Sequence, residues 1–129
     1  MSKRRSYNLD TEHREQANLI QWAALNRVKY PELDLLFAIP NGGHRHPVVA
    51  AKMKAEGVKA GVPDLQLPVP RGVYIGLFIE MKRKVGGVVS KKQAEWREAL
   101  SAVGHCVRVC HGWEDAVKTI TQYLELKTV

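Results

Sequence analysis

Two short segments, Gly61-Val62-Pro63-Asp64 and Phe78-Ile79-Glu80-Met81-Lys82, decide how this chain folds. Residues 73–82 are an apolar run typical of a strand that enters a core, and residues 64–67 predict a shorter strand before it. The sequence Pro-Val-Pro-Arg-Gly between them predicts a turn that lets the second strand double back, so that Asp64 lies beside Glu80. Because side chains alternate along a strand, Glu80 and Lys82 share one face.

Two carboxylates and an ammonium group at one strand end have two interpretations. Burial of unpaired charge is costly, so the cluster is either a structural ion pair or a divalent-metal site with a cationic helper. The second arrangement suits the hydrolysis of a phosphodiester. The three residues alone do not separate these interpretations.

The composition is that of one globular domain. Of the 129 residues, 45% are hydrophobic and 26% charged, and no apolar run approaches the roughly 20 residues of a membrane span. Residues 1–9 are basic without an apolar stretch behind them, which indicates a short flexible arm rather than a secretory signal. We expect residues 10–129 to form a single domain that does not associate with membranes.

The charge balance favours a polyanionic partner. The net charge is +7, with basic clusters at residues 3–5, 52–59, 82–84 and 91–92, and such clusters bind phosphates through counterion release. Cys106 and Cys110 lie too far apart on a predicted strand to bond each other, which indicates a reduced, cytoplasmic protein. The histidines and cysteines lack the spacing of a zinc knuckle.

The alternation of periodic segments predicts an α/β fold, with a mixed central β-sheet flanked by helices. Helices are predicted from Asp10 or Thr11 to about Lys29, from Pro47 to Gly57, from Ser90 to Gly104 and over residues 113–124. Strands are predicted over residues 35–39, 64–67, 73–82 and 105–110.

Two residues on the predicted helices carry an ambiguous signal. Glu15 stands one turn before Leu19 on the buried stripe of the first helix, so it is either a satisfied buried carboxylate or part of a site. Ser90 followed three residues later by Gln93 is a capping box, which is sufficient by itself to explain Gln93.

In their order and spacing, these pieces resemble the virus-type replication-repair nuclease (VRR-NUC) domain, a branch of the PD-(D/E)XK nuclease superfamily. The resemblance extends from about Glu12 to Leu124. It implies a restriction-endonuclease-like core and a DNA endonuclease that depends on Mg²⁺ or Mn²⁺. The matching pieces are Glu15, Pro40-Asn41-Gly42, Gly57, Gly61-Val62-Pro63-Asp64, Ile79-Glu80-Met81-Lys82 and Ser90 with Gln93.

The resemblance also implies roles for individual residues. Asp64 and Glu80 would be the main metal ligands, and the backbone carbonyl of Met81 would complete the coordination. Glu15 would add a third carboxylate, directly or through a water. Lys82 would orient or activate the attacking water, and Gln93 would place Lys82 or that water. Because we expect Gln93 to perform only one task at a time, the site is favoured over the cap. The residues expected to contact the DNA are Asn41, Gly42, Arg45, Arg83, Lys84 and Lys91.

The substrate follows less directly from the sequence. A chain close to a minimal catalytic core is expected to recognise the shape of DNA rather than its sequence. Stand-alone members resemble phage-encoded proteins similar to Holliday-junction resolvases, which implies a homodimer that acts in DNA repair in the cytoplasm of a bacterial host carrying the phage or prophage. Flap cleavage, nicking, nonspecific trimming of DNA or RNA, and a catalytically silent nucleic-acid-binding domain stay open as alternatives. Candidates for an apolar dimer interface, each of which is otherwise a core residue, are Trp96, Trp113, Tyr123 and Leu126.

Overall fold

In a computed structural model of the chain, four strands form one mixed sheet in the order β1 (Phe37–Ala38), β2 (Leu65–Leu67), β3 (Leu77–Lys82) and β4 (Cys106–His111). β1 pairs with β2, and β2 with β3, in antiparallel fashion, whereas β3 and β4 are parallel. The structure describes residues 3–41 and 46–128, with side chains from Thr11 onward. The predicted α/β class with a mixed central sheet is confirmed.

Helices cover this sheet. They are α1 (Lys3–Leu25), α2 (Pro47–Ala55), α3 (Lys91–Ala102) and α4 (Trp113–Leu124), with a 3₁₀ helix over Pro31–Leu35. α1 and α4 pack against each other and against β3, and α3 packs against β4. In the part of the chain that the structure describes, α2 packs against none of the other helices or strands.

β3 is the buried centre of the fold, because all six of its residues are buried. Leu77, Ile79 and Met81 join the hydrophobic core. The alternate positions Glu80 and Lys82 carry charge, and both lie near the C-terminal end of the strand. The N–H group of Gly112, just after β4, donates to the carbonyl oxygen of Lys82 at 2.8 Å and ties the two parallel strands together at this end.

α4 closes the core with a clear helical stripe. Ala116, Ile120, Tyr123 and Leu124 follow the i, i+4, i+7, i+8 spacing of an amphipathic helix, and all four are buried. The Tyr123 hydroxyl donates to the Val69 carbonyl oxygen at 2.6 Å. Tyr123 is therefore a core residue rather than an interface residue. Trp113 also packs against the core, whereas Leu126 is partly exposed.

A glycine sets how closely the segment before β2 approaches α3. Gly61 has φ +88°, and a Cβ atom there would lie 2.8 Å from the Cβ atom of Lys92 and 2.9 Å from its carbonyl carbon. A side chain at this position would be strained and would also push the first turn of α3 away. The glycine thus lets α3 begin next to Asp64.

The ends of α2 and α3 follow the sequence. Pro47 occupies the first turn of α2, and the His46 ring accepts a hydrogen bond from the Val48 N–H group at 3.2 Å. α3 begins after Ser90 with the predicted capping box. The predicted starts of both helices are confirmed.

Other boundaries were predicted wrongly. α1 begins at Lys3, so the backbone of residues 3–9, predicted as part of a flexible arm, is helical. No glycine or proline occurs before Pro31, and a helix can therefore extend upstream of a possible cap. At its other end α1 stops at Leu25, where the Asn26 side chain donates to the Trp22 carbonyl at 2.8 Å. Such bonding competes with continuation of the helix.

Two predicted strands are shorter than expected. Of residues 35–39 only Phe37–Ala38 form a strand, and Phe37 is 46% exposed, because this edge strand has only the short β2 as its neighbour. The run over residues 73–82 becomes a strand only at Leu77. Before it, Arg71 and Tyr74 exchange backbone hydrogen bonds in a tight turn, which leaves Val73 81% exposed.

Within the described residues, no helix combines the length and the apolar character that crossing a membrane requires.

Candidate active site

Asp64 is held between β3 and the loop after β1. Its Oδ2 atom accepts the Met81 N–H group at 2.7 Å, and its Oδ1 atom accepts the Asn41 side-chain amide at 3.4 Å. Leu65 pairs with Ile79 in the antiparallel ladder, so the next residue outward on each strand, Asp64 and Glu80, come together. The structure thus places these two carboxylates side by side, as the two sequence segments predict.

Glu80 is a buried carboxyl group with one free oxygen. The residue is 5% exposed, its Oε2 atom accepts the Gln93 Nε2 amide at 3.0 Å, and its Oε1 atom is buried without a hydrogen-bond partner. Burial and then the neighbouring Asp64 raise the pKa of Glu80 to about 9. Two carboxyl groups this close need a shared proton or a cation between them.

Gln93 connects the two charged residues of β3. Its Oε1 atom accepts the Lys82 ammonium at 2.9 Å while its Nε2 group donates to Glu80. The same Oε1 atom accepts the Ser90 N–H group at 2.9 Å, and the Ser90 hydroxyl accepts the Gln93 N–H group at 3.1 Å. The expectation that Gln93 performs only one of these tasks is wrong, because an amide oxygen has two lone pairs.

The stem of Lys82 is covered by the loop that follows β3. A Cβ atom on Gly87 would lie 2.8 Å from the Cβ atom of Lys82, so the loop backbone packs directly on that side chain. The Arg83 guanidinium braces the loop by donating to the carbonyl oxygens of Val85 at 2.7 Å and Gly86 at 3.0 Å. Lys82 is thus held at both ends, by the loop at its stem and by Gln93 at its head.

The acid of α1 that faces this site is Glu12 and not Glu15. The Oε1 atom of Glu15 accepts the Trp113 N–H group at 3.0 Å, so this buried carboxylate satisfies the first turn of α4. Glu12 instead lines a cleft together with Asp64 and Met81. Burial raises the pKa of Glu12, Lys82 opposes that rise and Asp64 adds to it, which puts Glu12 within electrostatic range of both.

The sequence carries one signal that an acid from elsewhere in the chain completes the start of α4, although it does not tell Glu12 from Glu15. Glu12 and Glu15 are three residues apart on the same helix face, so periodicity treats them alike. α4, however, begins after Gly112, which has no side chain to cap it. A partly buried helix start without a cap of its own needs an acceptor from elsewhere.

The cleft itself is open and polar, with a volume of about 530 Å³. His13, Gln16, Asn41, Asp64 and Met81 are among the residues that line it. The sequence did not single out His13 or Gln16. Both follow from the helical spacing once Glu12 is placed in the cleft.

The residues predicted to contact DNA have different surroundings. Asn41 is bonded to Asp64, and Lys91 lines a second cleft of about 440 Å³ beside Ser90 and Gln93. Arg83 is turned onto its own loop, and the Lys84 ammonium lies 3.0 Å from the Glu114 carboxylate. Gly42 and Arg45 lie outside the described residues. Asn41 and Lys91 are therefore the members of this set that border the site.

The donors present fit a hard divalent cation. Among the described residues, no group of three His, Cys, Asp or Glu side chains is arranged to hold a metal. Asp64 and Glu80 nevertheless offer adjacent carboxylates, one of them with an orphaned oxygen. Mg²⁺ needs no more than one or two carboxylates, since waters and substrate oxygens fill its remaining positions.

Neither cysteine is suited to act as a nucleophile. Cys106 and Cys110 are both buried and unbonded to each other. Burial raises the pKa of the Cys106 thiol, and burial raises that of Cys110 to about 11, so both are protonated at neutral pH.

Comparison with known proteins places these residues in a family context. The model of the VRR-NUC domain family matches residues 6–114. A solved structure described as a "VRR_NUC domain protein" is 34% identical to this chain, with a TM-score of 0.78, and the match covers 92% of this chain and 91% of that one. Among proteins with curated descriptions, none matches. The resemblance drawn from the sequence motifs is confirmed, as is a fold consistent with a restriction-endonuclease-like core.

Substitution of the two acids of α1 should have different effects on the free energy of unfolding. Glu15→Ala removes the acceptor of a helix-start N–H group and should lower the free energy of unfolding by about 1–2 kcal/mol. Glu12→Ala removes a carboxylate that lines an open cleft, and should change it by less than about 0.5 kcal/mol. Urea unfolding of the metal-free protein, followed by circular dichroism, measures both. Equal losses in the two variants would contradict this assignment.

Proposed function

Because the chain belongs to the VRR-NUC domain family, and is thus a nuclease of the PD-(D/E)XK type, we propose that it is a metal-dependent endonuclease that hydrolyses phosphodiester bonds in branched DNA. The observation that carries the proposal is the contact of Gln93 with both Glu80 and Lys82 beside Asp64. These bonds hold Glu80 and Lys82 beside Asp64, which lines the open cleft.

We assign the metal to Asp64 and Glu80, with the Met81 backbone carbonyl as a further donor and Glu12 in the position that Glu15 was expected to take. All of these are oxygen donors, which suit Mg²⁺ or Mn²⁺. When bound, the ion supplies a nucleophilic hydroxide near neutral pH and neutralises charge on the phosphate. The orphaned oxygen of Glu80 gives this assignment its support.

Lys82 has the role of a fixed cation at the reacting phosphate. Lys82 is 6% exposed and its ammonium is bonded to Gln93, so the direction of the charge is set before the substrate arrives. A pre-oriented charge stabilises a transition state without reorganisation. Gln93 takes up no proton in this scheme and serves to align Lys82 with Glu80.

The test of the function is cleavage by the protein and by an Asp64→Asn variant. The amide oxygen can still accept the Met81 N–H group, so the fold should survive while the ligand charge is lost. Even loss of a residue that only supports a metal ligand costs about 10- to 100-fold, so we expect a larger loss here, and a similar or smaller loss for Glu12→Gln. Labelled duplex, flap, four-way junction and RNA are incubated with Mg²⁺, Mn²⁺ or EDTA.

Asp34→Asn is the matched control, because Asp34 is exposed and, among the described residues, its ion pair is with the exposed Arg27. It makes the same change in charge and should cut at the wild-type rate. Cleavage in EDTA, or full activity of Asp64→Asn, would refute the metal assignment. Binding of DNA without any cleavage would identify a catalytically silent domain, and preference for RNA would change the substrate class.

The support of Lys82 by its loop should be visible in kinetics. Gly87→Ala adds a Cβ atom where the Lys82 stem lies, and misplacement of a reacting group by about 1 Å can cost about 100-fold. We expect kcat to fall by about 10- to 100-fold while KM and Mn²⁺ affinity stay unchanged. In a Lys82→Ala background the same change should have no further effect, since the two changes act on one group.

Val88→Ala is the control for this experiment, because it alters the same loop at a side chain that is 79% exposed. Independent, additive losses from Gly87→Ala and Lys82→Ala would show that the glycine does not act through the lysine.

We also propose that the active form is a homodimer. One site of this type cuts one strand, so symmetric cleavage of a four-way junction requires two sites in a fixed relation, most simply about a two-fold axis. Light scattering at micromolar concentration should give twice the monomer mass of 14.5 kDa. A monomer that cuts junctions symmetrically would contradict the geometric argument, and a monomer that only nicks or trims would favour those activities.

A further inference from the structure

Beside the active site, α2 and α3 enclose a larger groove with an apolar floor. Its volume is about 800 Å³, and its floor is formed by Ala50 and Met53 from α2, Val58 after that helix, and Trp96 and Ala99 from α3. α2 packs on no other element in the described part of the chain. Packing against other elements therefore does not account for the apolar side chains that α2 contributes.

The rim of this groove is basic. Lys54, Lys59 and Lys92 stand around it, and the acid that accompanies them is Glu95. All three lysines are exposed, and among the described residues none of them forms an ion pair. An anionic ligand would therefore meet positive charge that is not already neutralised.

The groove adjoins the active site. Ala60 and Lys92 line both the groove and the small cleft that contains Ser90 and Gln93. That small cleft shares Asn41 with the cleft of Asp64. The three spaces therefore lie side by side, in a row from Asp64 past the first turn of α3 to Trp96.

The spacing of Gln93 and Trp96 along α3 matches the spacing of nucleotides in a strand. Trp96 lies three residues after Gln93, about 4.5 Å further along the axis of α3. Successive nucleotides of a stacked strand are about 3.4 Å apart, and those of an extended strand are further apart. Trp96 is thus placed one or two nucleotides away from a phosphate held at Gln93 and Lys82.

We propose that the α2–α3 groove binds unpaired nucleotides of the substrate, with a base against the Trp96 ring and phosphates near Lys54, Lys59 and Lys92. An aromatic floor with a lysine rim matches the two parts of a single strand, whose bases are free to stack and whose phosphates attract cations. In a duplex the faces of the bases are stacked against each other, so they cannot contact the apolar side chains of the groove. The inference rests on the proposed nuclease function and specifies its substrate as branched DNA that exposes unpaired nucleotides beside the cleavage point, in a flap, a tail or an opened junction.

A second copy of the chain fits the groove less well. In a two-fold interface the same patch meets itself, so the lysines around one groove would face those around the other. Like charges that oppose each other in this way disfavour association.

The test compares two DNAs and three side chains at position 96. In an Asp64→Asn background that prevents cleavage, fluorescence anisotropy measures binding of a blunt duplex and of the same duplex with a tail of about 5 thymidines. Trp96→Leu keeps the apolar character and removes the ring, and should weaken binding of the tailed DNA by about 5- to 100-fold. It should leave blunt-duplex binding unchanged. Trp96→Phe should retain most of the affinity for the tail.

The lysines have a matched control on the other side of the protein. Lys54→Ala and Lys59→Ala should each weaken binding of the tailed DNA and reduce its dependence on salt. Lys118→Ala, at an exposed position of α4, should change neither. If all three lysine variants weaken both DNAs equally, the effect is one of overall charge and the groove is not the binding site.

Other outcomes would also overturn the inference. Equal binding of tailed and blunt DNA by the parent protein would do so, as would equal weakening of both by Trp96→Leu. If Trp96→Leu changes the mass in light scattering and leaves DNA binding intact, the groove is a protein interface. Absence of cleavage by the wild-type protein with Mg²⁺ or Mn²⁺ would refute the proposed enzymatic function. The binding comparison tests the groove independently of cleavage.

Discussion

The Gln93 side chain is the contact on which the rest of the site depends. It joins the start of α3 to the charged end of β3, because one amide bonds Ser90, Lys82 and Glu80 together. Loss of this amide would remove three partners at once, among them two buried charged groups. The helix cap and the active strand are therefore one structure, and the position of α3 cannot change without moving Lys82.

The burial of charge at the end of β3 explains why the site is built from a central strand. β3 is covered on both faces, so Glu80 and Lys82 meet little water, and their interactions are stronger than they would be at the surface. The same burial makes the carboxyl pair unfavourable without a cation. The buried carboxyl pair thus lowers the stability of the fold locally, and binding of an ion and a phosphate at the same place would restore it.

The parts of this arrangement that depend on local pattern were predictable. Alternation along β3 and the turn before it bring Asp64 and Glu80 together, and the spacing of Ser90 and Gln93 specifies the start of α3. The parts that depend on where distant elements meet were not. Glu12 and Glu15 are equivalent in periodicity, and only the docking of α4 assigns one to a helix cap. The sequence predicts Arg83 and Lys84 as phosphate ligands. In the fold, however, Arg83 donates to carbonyl oxygens of its own loop and Lys84 pairs with Glu114. The lengths of β1 and of the start of β3 were overestimated, because apolar residues extend a strand only where a neighbour is present to pair.

The hydrogen bond from Trp113 to Glu15 also bears on how the chain folds. The two residues are 98 positions apart, so the first turn of α4 acquires its acceptor only after the chain has closed almost its longest loop. Closure of such a loop lowers the entropy of the chain, and contacts between residues close in sequence do not compensate for that loss. α1 emerges from the ribosome before α4, and neither helix has its full set of partners until α4 is made. Completion of the core is therefore a late, cooperative event that joins both ends of the chain, and the site between them matures with it.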